Sequence, residues 1–390
     1  MTKLEQLINE LCPNGVKFVA LEECCKILDN KRKPVTKAAR QAGEYPYYGA
    51  NGIQDYVSDY IFDGIFVLVG EDGSVVTPSG NPVVNWATGK IWVNNHAHII
   101  EEKDGVLLRY LYHYLQTVNV SALIHGNIPK LTGGDFRAIK VPVPPLPVQS
   151  EIVRILDNFT ELTAELTAEL TARKQQYAHY RDTLLKLDNN VPSYTLKDIC
   201  LSIADGDHMP PPKADSGVPF ITISNITETR QIDFSNVMYV PREYYDKLAD
   251  KRKAKRDDIL YTVVGSFGIP VHISSKTEFV FQRHIAILRP NQQMIVPRYM
   301  YHIMQSTEFY KQADKAAKGA AQRTIGLSSL GNMTIPLPSI EEQKRIVAIL
   351  DRFDTLCNDI SAGLPAEIEA RQKQYEYYRD KLLTFKEKVN

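Results

Sequence analysis

Two rhythms of apolar and polar positions run along the chain, and each occurs twice. The first is helical. Ile152, Ile155, Phe159, Leu162 and Leu166 follow one another in steps of three and four, the seam of a heptad helix. Two Thr-Ala-Glu-Leu units at 163–166 and 167–170 then follow directly, and the seam resumes in a shifted position at Leu170, Tyr177, Tyr180, Leu184 and Leu187. An insertion of four residues is a stutter, which locally unwinds a coiled coil. The same rhythm returns at Ile346, Ile349, Phe353, Leu356 and Ile360, and again at Ile368, Tyr375, Tyr378, Leu382 and Phe385. Between those runs Gly363, Leu364 and Pro365 predict a kink or interruption, because an interior proline removes a hydrogen bond and clashes with the previous turn.

The second rhythm is that of short strands separated by Gly, Asn and Asp turns. In the first half it predicts strands over 65–69, 74–76, 90–93 and 97–100, preceded by an amphipathic start at 18–27 and followed by a helix over 109–116. In the second half it predicts strands over 220–223, 259–264, 278–281 and 284–288, then a helix over 298–305. The two helices read Arg-Tyr-Leu-Tyr-His-Tyr-Leu-Gln and Arg-Tyr-Met-Tyr-His-Ile-Met-Gln, a constant 189 residues apart.

These parallels amount to an internal duplication, which has to be recognised before any local assignment. Residues 141–159 and 335–353 align at an offset of 194 with 9 of 19 identities, and 172–187 and 370–385 at an offset of 198 with 9 of 16. The second copy therefore carries four extra residues, about one helical turn. Proline-rich strand exits (Pro142, Pro144, Pro145, Pro147; Pro336, Pro338) lead into both helices. Each helix could pack on its own domain alone. Two matched seams in one chain more naturally pack on each other, antiparallel, as a spacer. The expected fold is α+β: mixed α/β domains at 1–145 and 191–338, and spacer helices at 146–190 and 339–390.

Composition narrows the chemistry. At 390 residues with 44% apolar content the chain has room for two or three domains with real cores. Its 46 basic residues are matched by 46 acidic ones, so any nucleic-acid surface must come from local clustering rather than overall charge. The five cysteines, Cys12, Cys24, Cys25, Cys200 and Cys357, show no paired spacing, which points to a reducing cytoplasm. No leader-like or membrane-spanning apolar run is visible.

A variable domain followed by a proline-rich entry and a long helix, twice over, resembles the specificity (S) subunits of type I restriction-modification systems. The resemblance rests on Pro145-Leu146-Pro147 with Gln149, Ile152 and Leu156-Asp157, then on Pro336-Leu337-Pro338 with Gln343, Ile346 and Leu350-Asp351. It covers essentially the whole chain, and the Thr-Ala-Glu-Leu units resemble the spacer of one subgroup. The resemblance implies two target recognition domains, each reading half of a bipartite double-stranded DNA sequence. It also implies two docked methyltransferase (M) subunits that supply S-adenosylmethionine and the adenine-methylating site. Two ATP- and Mg-dependent restriction (R) subunits would join the full complex, while this chain would hold no cofactor of its own. An S-like scaffold or antagonist that no longer reads DNA is the alternative.

The missing motifs agree with that division of labour. The one Asn-Pro pair, Asn81-Pro82, is followed by Val83, not by the Pro-aromatic that an amino-methyltransferase uses on a flipped base. Gly89-Lys90-Ile91 lacks the P-loop pattern. Gly265-Ser266-Phe267-Gly268 reads as a tight turn, and Asp257-Asp258 as a solvated one. His96 and His98 show no carboxylate or cysteine pattern nearby, so no metal site is expected.

DNA readers need Arg or Lys for phosphates and Asn, Gln, Arg, Ser or Thr for base edges. In the first domain the candidates are Lys31, Arg32, Lys33, Tyr47, Asn51 and the loop with Asn127 and Lys130. In the second they are Lys213, Asn225, Ser266, Arg283, Lys318, Gln322 and Arg323. The loops 126–130 and 318–323 occupy equivalent positions in the two halves, which raises both above isolated surface charges. With balanced charge, the free chain is expected to bind DNA poorly without its partners.

Overall fold

The computed structural model describes residues 2–188, 190–206, 211–320, 322–359 and 361–388; the seam position Ile360 lies outside them. Contacts divide the chain into two compact units, Met1–Glu165 with Glu369–Asn390, and Leu166–Ile368. Both mix helices with mostly antiparallel sheet, an α+β architecture built twice.

The first unit is centred on a sheet of six strands in the order Lys26–Ile27, Ala97–Glu101, Phe62–Gly70, Val84–Val93, Ala42–Gly49, Gly52–Val57. Residues 66–69 of its strand Phe62–Gly70 are buried on both faces, so they read as an unbroken apolar run. Because side chains alternate across a strand, Phe66 and Leu68 join a cluster with Ile91, Val93 and Ile99. Val67 and Val69 instead face Leu108, Leu111, Val141 and Ile152. The second unit repeats the arrangement with a sheet ordered Cys200–Asp205, Ile285–Pro290, Ile259–Thr262, Pro270–His272, and a three-stranded sheet beside it. There Leu260 faces Ile221, Phe279 and Phe281, while Ile259 and Tyr261 face Tyr299, Met300 and Ile346. A short ribbon lies at the base of each unit: Lys17–Ala20 with Lys140–Val143, and Ser193–Thr195 with Thr334–Pro336.

The central helix, Leu146–Leu184, is unbroken over 39 residues, with Pro147 in its first turn, where a missing N–H costs nothing. The C-terminal segment is two helices, Ile340–Asn358 and Leu364–Leu382. They separate where the sequence predicts a break. Asp359 Oδ1 accepts from the backbone of Ser361 and Ala362 at 2.7 and 3.2 Å. A Cβ on Gly363 would lie 2.5 Å from the Thr355 carbonyl oxygen, so the turn requires glycine there. Pro365 then falls in the first turn of the next helix.

Within the first unit, the start of the central helix packs antiparallel against the last helix. Ile152 and Leu156 are fully buried in the cluster that Leu382, Leu383 and Phe385 also join, and Phe159 stacks on Tyr378 with ring centres 5.3 Å apart. Within the second unit, Tyr177 and Tyr180 stack on Phe353 at 6.3 and 5.4 Å, and Ile346 and Leu350 are fully buried. Seam positions Ile155, Leu162, Leu166, Leu170, Ile349, Leu356 and Tyr375 are half-buried, as expected where helices meet in pairs rather than in a bundle. At the end of the central helix the core position is Leu185, with the expected Leu184 half-buried beside it.

Two local expectations change. Residues 74–76 form no strand, only a bridge from Val76 to Pro82, and an N-terminal helix, Lys3–Leu11, stands where the pattern gave no element. No helix among the described residues is long and apolar enough to cross a membrane.

Candidate nucleic-acid interface

Each unit fastens its domain to its helices with the same polar knot. Gln149, the first buried polar residue of the central helix, takes the Leu107 N–H at 2.9 Å and donates to the carbonyls of Gly105 and Pro144 at 3.0 and 2.7 Å. Gln343 does the same with the Val296 N–H and the carbonyls of Met294 and Pro338 at 2.8, 3.1 and 2.9 Å. Two turns further on, Asp157 accepts from Arg109 Nε at 2.7 Å and His113 Nε2 at 2.8 Å. Asp351 accepts from Arg298 Nε at 2.9 Å and His302 Nε2 at 2.7 Å.

The carboxylate can only accept, which fixes the hydrogen on Nε2 of each ring. Nδ1 of His113 then accepts from Tyr375, and Nδ1 of His302 from Tyr177, both at 2.9 Å. Burial pushes both histidines below their ordinary value, so the neutral ring is the resident form. Burial opposes ionisation of Asp157 and Asp351 too, but the hydrogen bonds from histidine and arginine hold both below the usual carboxylate value.

At the other end of each domain, two loops form an edge. In the first unit, strands Ile124–His125 and Lys130–Leu131 make a small hairpin, with Gly126 at φ 85° in its turn. It is pinned to loop 71–74: Gly73 N–H donates to the Pro129 carbonyl at 2.9 Å and Leu131 N–H to that of Glu71 at 2.8 Å. Beneath it lies a dense polar cluster. Arg32 donates to Glu71 at 2.6 Å and to the Ala97 carbonyl at 2.7 Å, and Lys130 reaches Glu71 at 3.1 Å. His98 lies 2.7 Å from Asp29 and 3.0 Å from the Leu131 carbonyl and stacks on Phe136 with centres 4.2 Å apart.

The second unit builds the equivalent edge from loop 263–268 and from residues 318–320 and 322–324. Lys318 and Thr324 exchange backbone hydrogen bonds at 2.9 and 2.8 Å, and Gly265 N–H donates to the Arg323 carbonyl at 3.0 Å. The Arg323 guanidinium lies 5.1 Å above the Phe267 ring and pairs with Asp314 at 2.6 Å.

The candidates sort accordingly. Asn127 with Lys130 sits on the first edge; Ser266, Lys318, Gln322 and Arg323 are gathered on the second. Lys31, Lys33, Asn51, Lys213 and Arg283 are exposed. Three candidates are interior instead. Tyr47 is 1% exposed, with Arg40 over its ring and its hydroxyl bonded to Val35 at both N–H and carbonyl. Asn225 spends its amide on Thr222, Asp233 and Asn236. Arg32 is held in the cluster beneath the hairpin.

The expectation that no carboxylate lies near His96 and His98 is overturned: Asp72 faces His96, while Asp29 and Glu71 face His98. The ligand atoms of Asp29, Glu71 and His98 lie within 4.8 Å of one another, but Arg32 and Lys130 already neutralise those carboxylates. The cluster is an ion-pair anchor. Asp258 is likewise no solvated turn residue: it is 1% exposed and bonded to Arg289 at 3.1 Å.

Comparison with known proteins agrees with this duplicated plan. The family model described as "Type I restriction modification DNA specificity domain" matches residues 13–173 and again 189–370. A Haemophilus influenzae protein named as a type I restriction enzyme specificity subunit is 38% identical over 98% of both chains. The EcoR124I/EcoR124II specificity subunit of Escherichia coli is 37% identical over 73% of this chain and 72% of its own. Among solved structures, the type I S subunit from M. genitalium superposes with a TM-score of 0.58 at 15% identity, covering 95% of this chain and 96% of its own. At that identity the likeness concerns the fold.

Proposed function

Because the chain belongs to the family of type I restriction-modification DNA specificity proteins, we propose that its two units each read one half of a bipartite double-stranded DNA target. Specificity subunits are non-catalytic, and this chain acts by placing DNA before partner subunits. Two methyltransferase subunits, carrying S-adenosylmethionine, dock on the helical segments and methylate adenine. Two restriction subunits using ATP and Mg complete the complex, which works on DNA in the cytoplasm.

The observation that carries this reading is the edge built twice, at the same chain position in each unit, from a loop after a central strand and a loop before the last short helix. Phosphates call for cations and base edges for amides and hydroxyls. The second edge offers Lys318, Gln322 and Ser266 in solvent; the first offers Asn127. The test is a map of methylated adenines across the host genome with the gene intact and deleted. Loss of a single bipartite motif is the expected result, whereas an unchanged map would favour the scaffold.

A further inference from the structure

The tip of the first unit's hairpin carries Ile128, which is 68% exposed, the most exposed large apolar side chain described in that unit. Nothing in the fold is served by leaving it in water, and the tip is not a loose excursion. Pro129 and Leu131 are fixed to loop 71–74 through Gly73 and Glu71, and the backbone turns at Gly126.

The polar groups around the tip already have partners: the Lys130 ammonium pairs with Glu71 at 3.1 Å, and the His125 ring lies 3.4 Å from Asp135. What the tip presents is an apolar branched side chain next to an uncharged amide, Asn127. That is poor chemistry for a phosphate and good chemistry for a base edge. The distinctive apolar feature of the major groove is the C5-methyl group of thymine. At the same position the second unit presents Lys318 and Gln322, groups suited to guanine and adenine.

We infer that Ile128 is a specificity-determining residue of the first unit that contacts a thymine methyl group in its half-site. The inference rests on the DNA-reading function proposed above. The alternative occupant of the tip, a protein partner, becomes an outcome of the test.

The experiment uses the complete chain assembled with its methyltransferase partner, and duplexes carrying the mapped target. Each thymine of the first unit's half-site is replaced in turn by deoxyuridine, which lacks only the methyl group. For the unaltered complex, one replacement is expected to weaken binding about fourfold, the worth of one buried methyl-sized group. Ile128→Ala is expected to weaken binding to the thymine duplex by a similar factor and to abolish the response to that replacement, so the two losses do not add.

Two losses that add in full, or no responsive thymine, overturn the inference while sequence preference is retained. Impaired assembly of Ile128→Ala with the methyltransferase, at unchanged thymine response, overturns it in favour of protein docking. A complex with no preference for its mapped target over a scrambled duplex defeats the DNA-reading function itself, and the inference with it.

Discussion

At the scale of single residues, the paired Asp–His–Tyr networks say most about how the units are held. In each, a neutral histidine bridges an ion-paired aspartate and a tyrosine from another helix, and no member can be removed without stranding a neighbour. Burial pushes Tyr375 up to about 12, so its hydroxyl stays protonated and donates. Tyr375→Phe should leave the His113 Nδ1 acceptor buried and unpaired, at a cost of about 1–3 kcal/mol, and Tyr177→Phe should do the same to His302. Thermal unfolding measures both; a cost near zero would mean that water replaces the hydroxyl. The histidines also give a pH dependence. Their folded values are depressed by burial, with Arg109 and Arg379 adding to the effect on His113 and Arg298 to that on His302. The unfolded chain therefore binds protons first. This contribution is complete above the unfolded value of about 6.5 and is lost as pH falls through it towards the folded values. Asp157 and Asp351, also depressed, lose theirs only in the more acidic carboxylate range. A His113→Gln/His302→Gln double variant should flatten the profile of unfolding temperature just below about pH 6.5; a slope equal to that of the unaltered chain would rule out these histidines as its source.

At the scale of elements, the long helices were legible and the edges only partly so. Periodicity identifies a helix because one face must be apolar every three to four residues, and Gly363 with Pro365 marks the break because backbone geometry there tolerates little else. Chain distance hides the remainder. His113 and Tyr375 stand in visibly repeated motifs, yet they meet across 262 residues, and no local pattern pairs them. Arg32 and Tyr47 look like surface readers in a basic, aromatic stretch until Glu71 and Val35 are seen to occupy them. Ile128 carries no signal in the sequence, because an apolar residue between Asn127 and Pro129 gives no period. The Thr-Ala-Glu-Leu units allow a test of the central helix. They lie where it passes from one contact unit to the other at Glu165–Leu166, in a stretch that is half-buried at most. Deleting residues 163–166 removes about 6 Å of helix, against about 3.4 Å per base pair. The methylated motif of the variant should have one or two fewer unread pairs between unchanged half-sites. An unchanged spacing would mean that the helix does not set it.

At the scale of the whole molecule, the duplication separates what varies from what is kept. The knots of Gln149 and Gln343 match atom for atom, and those of Asp157 and Asp351 share the arginine Nε, histidine Nε2 and tyrosine hydroxyl bonds, with Arg298 Nη2 reaching Asp351 and Asp354 in addition. The sheets differ in strand number, and the edges differ in charge and polarity. A protein that reads two different half-sites from one plan needs that partition: the fastening stays constant while the reading loops drift. It follows that a domain can be exchanged if its fastening is respected. Replacing residues 1–140 with the corresponding segment of another family member should change one half of the methylated motif and leave the other half and the spacing as they were. The requirement is that the incoming helix supplies the arginine and histidine that Asp157 receives from Arg109 and His113, and an apolar face for Ile152 and Leu156. Genome-wide mapping of methylated adenines in a strain carrying the chimera reads all three features at once. If both halves of the motif change together, the units do not read independently. If a donor lacking the equivalent arginine and histidine works as well as one that has them, the knot is not what fastens the domain to its helices.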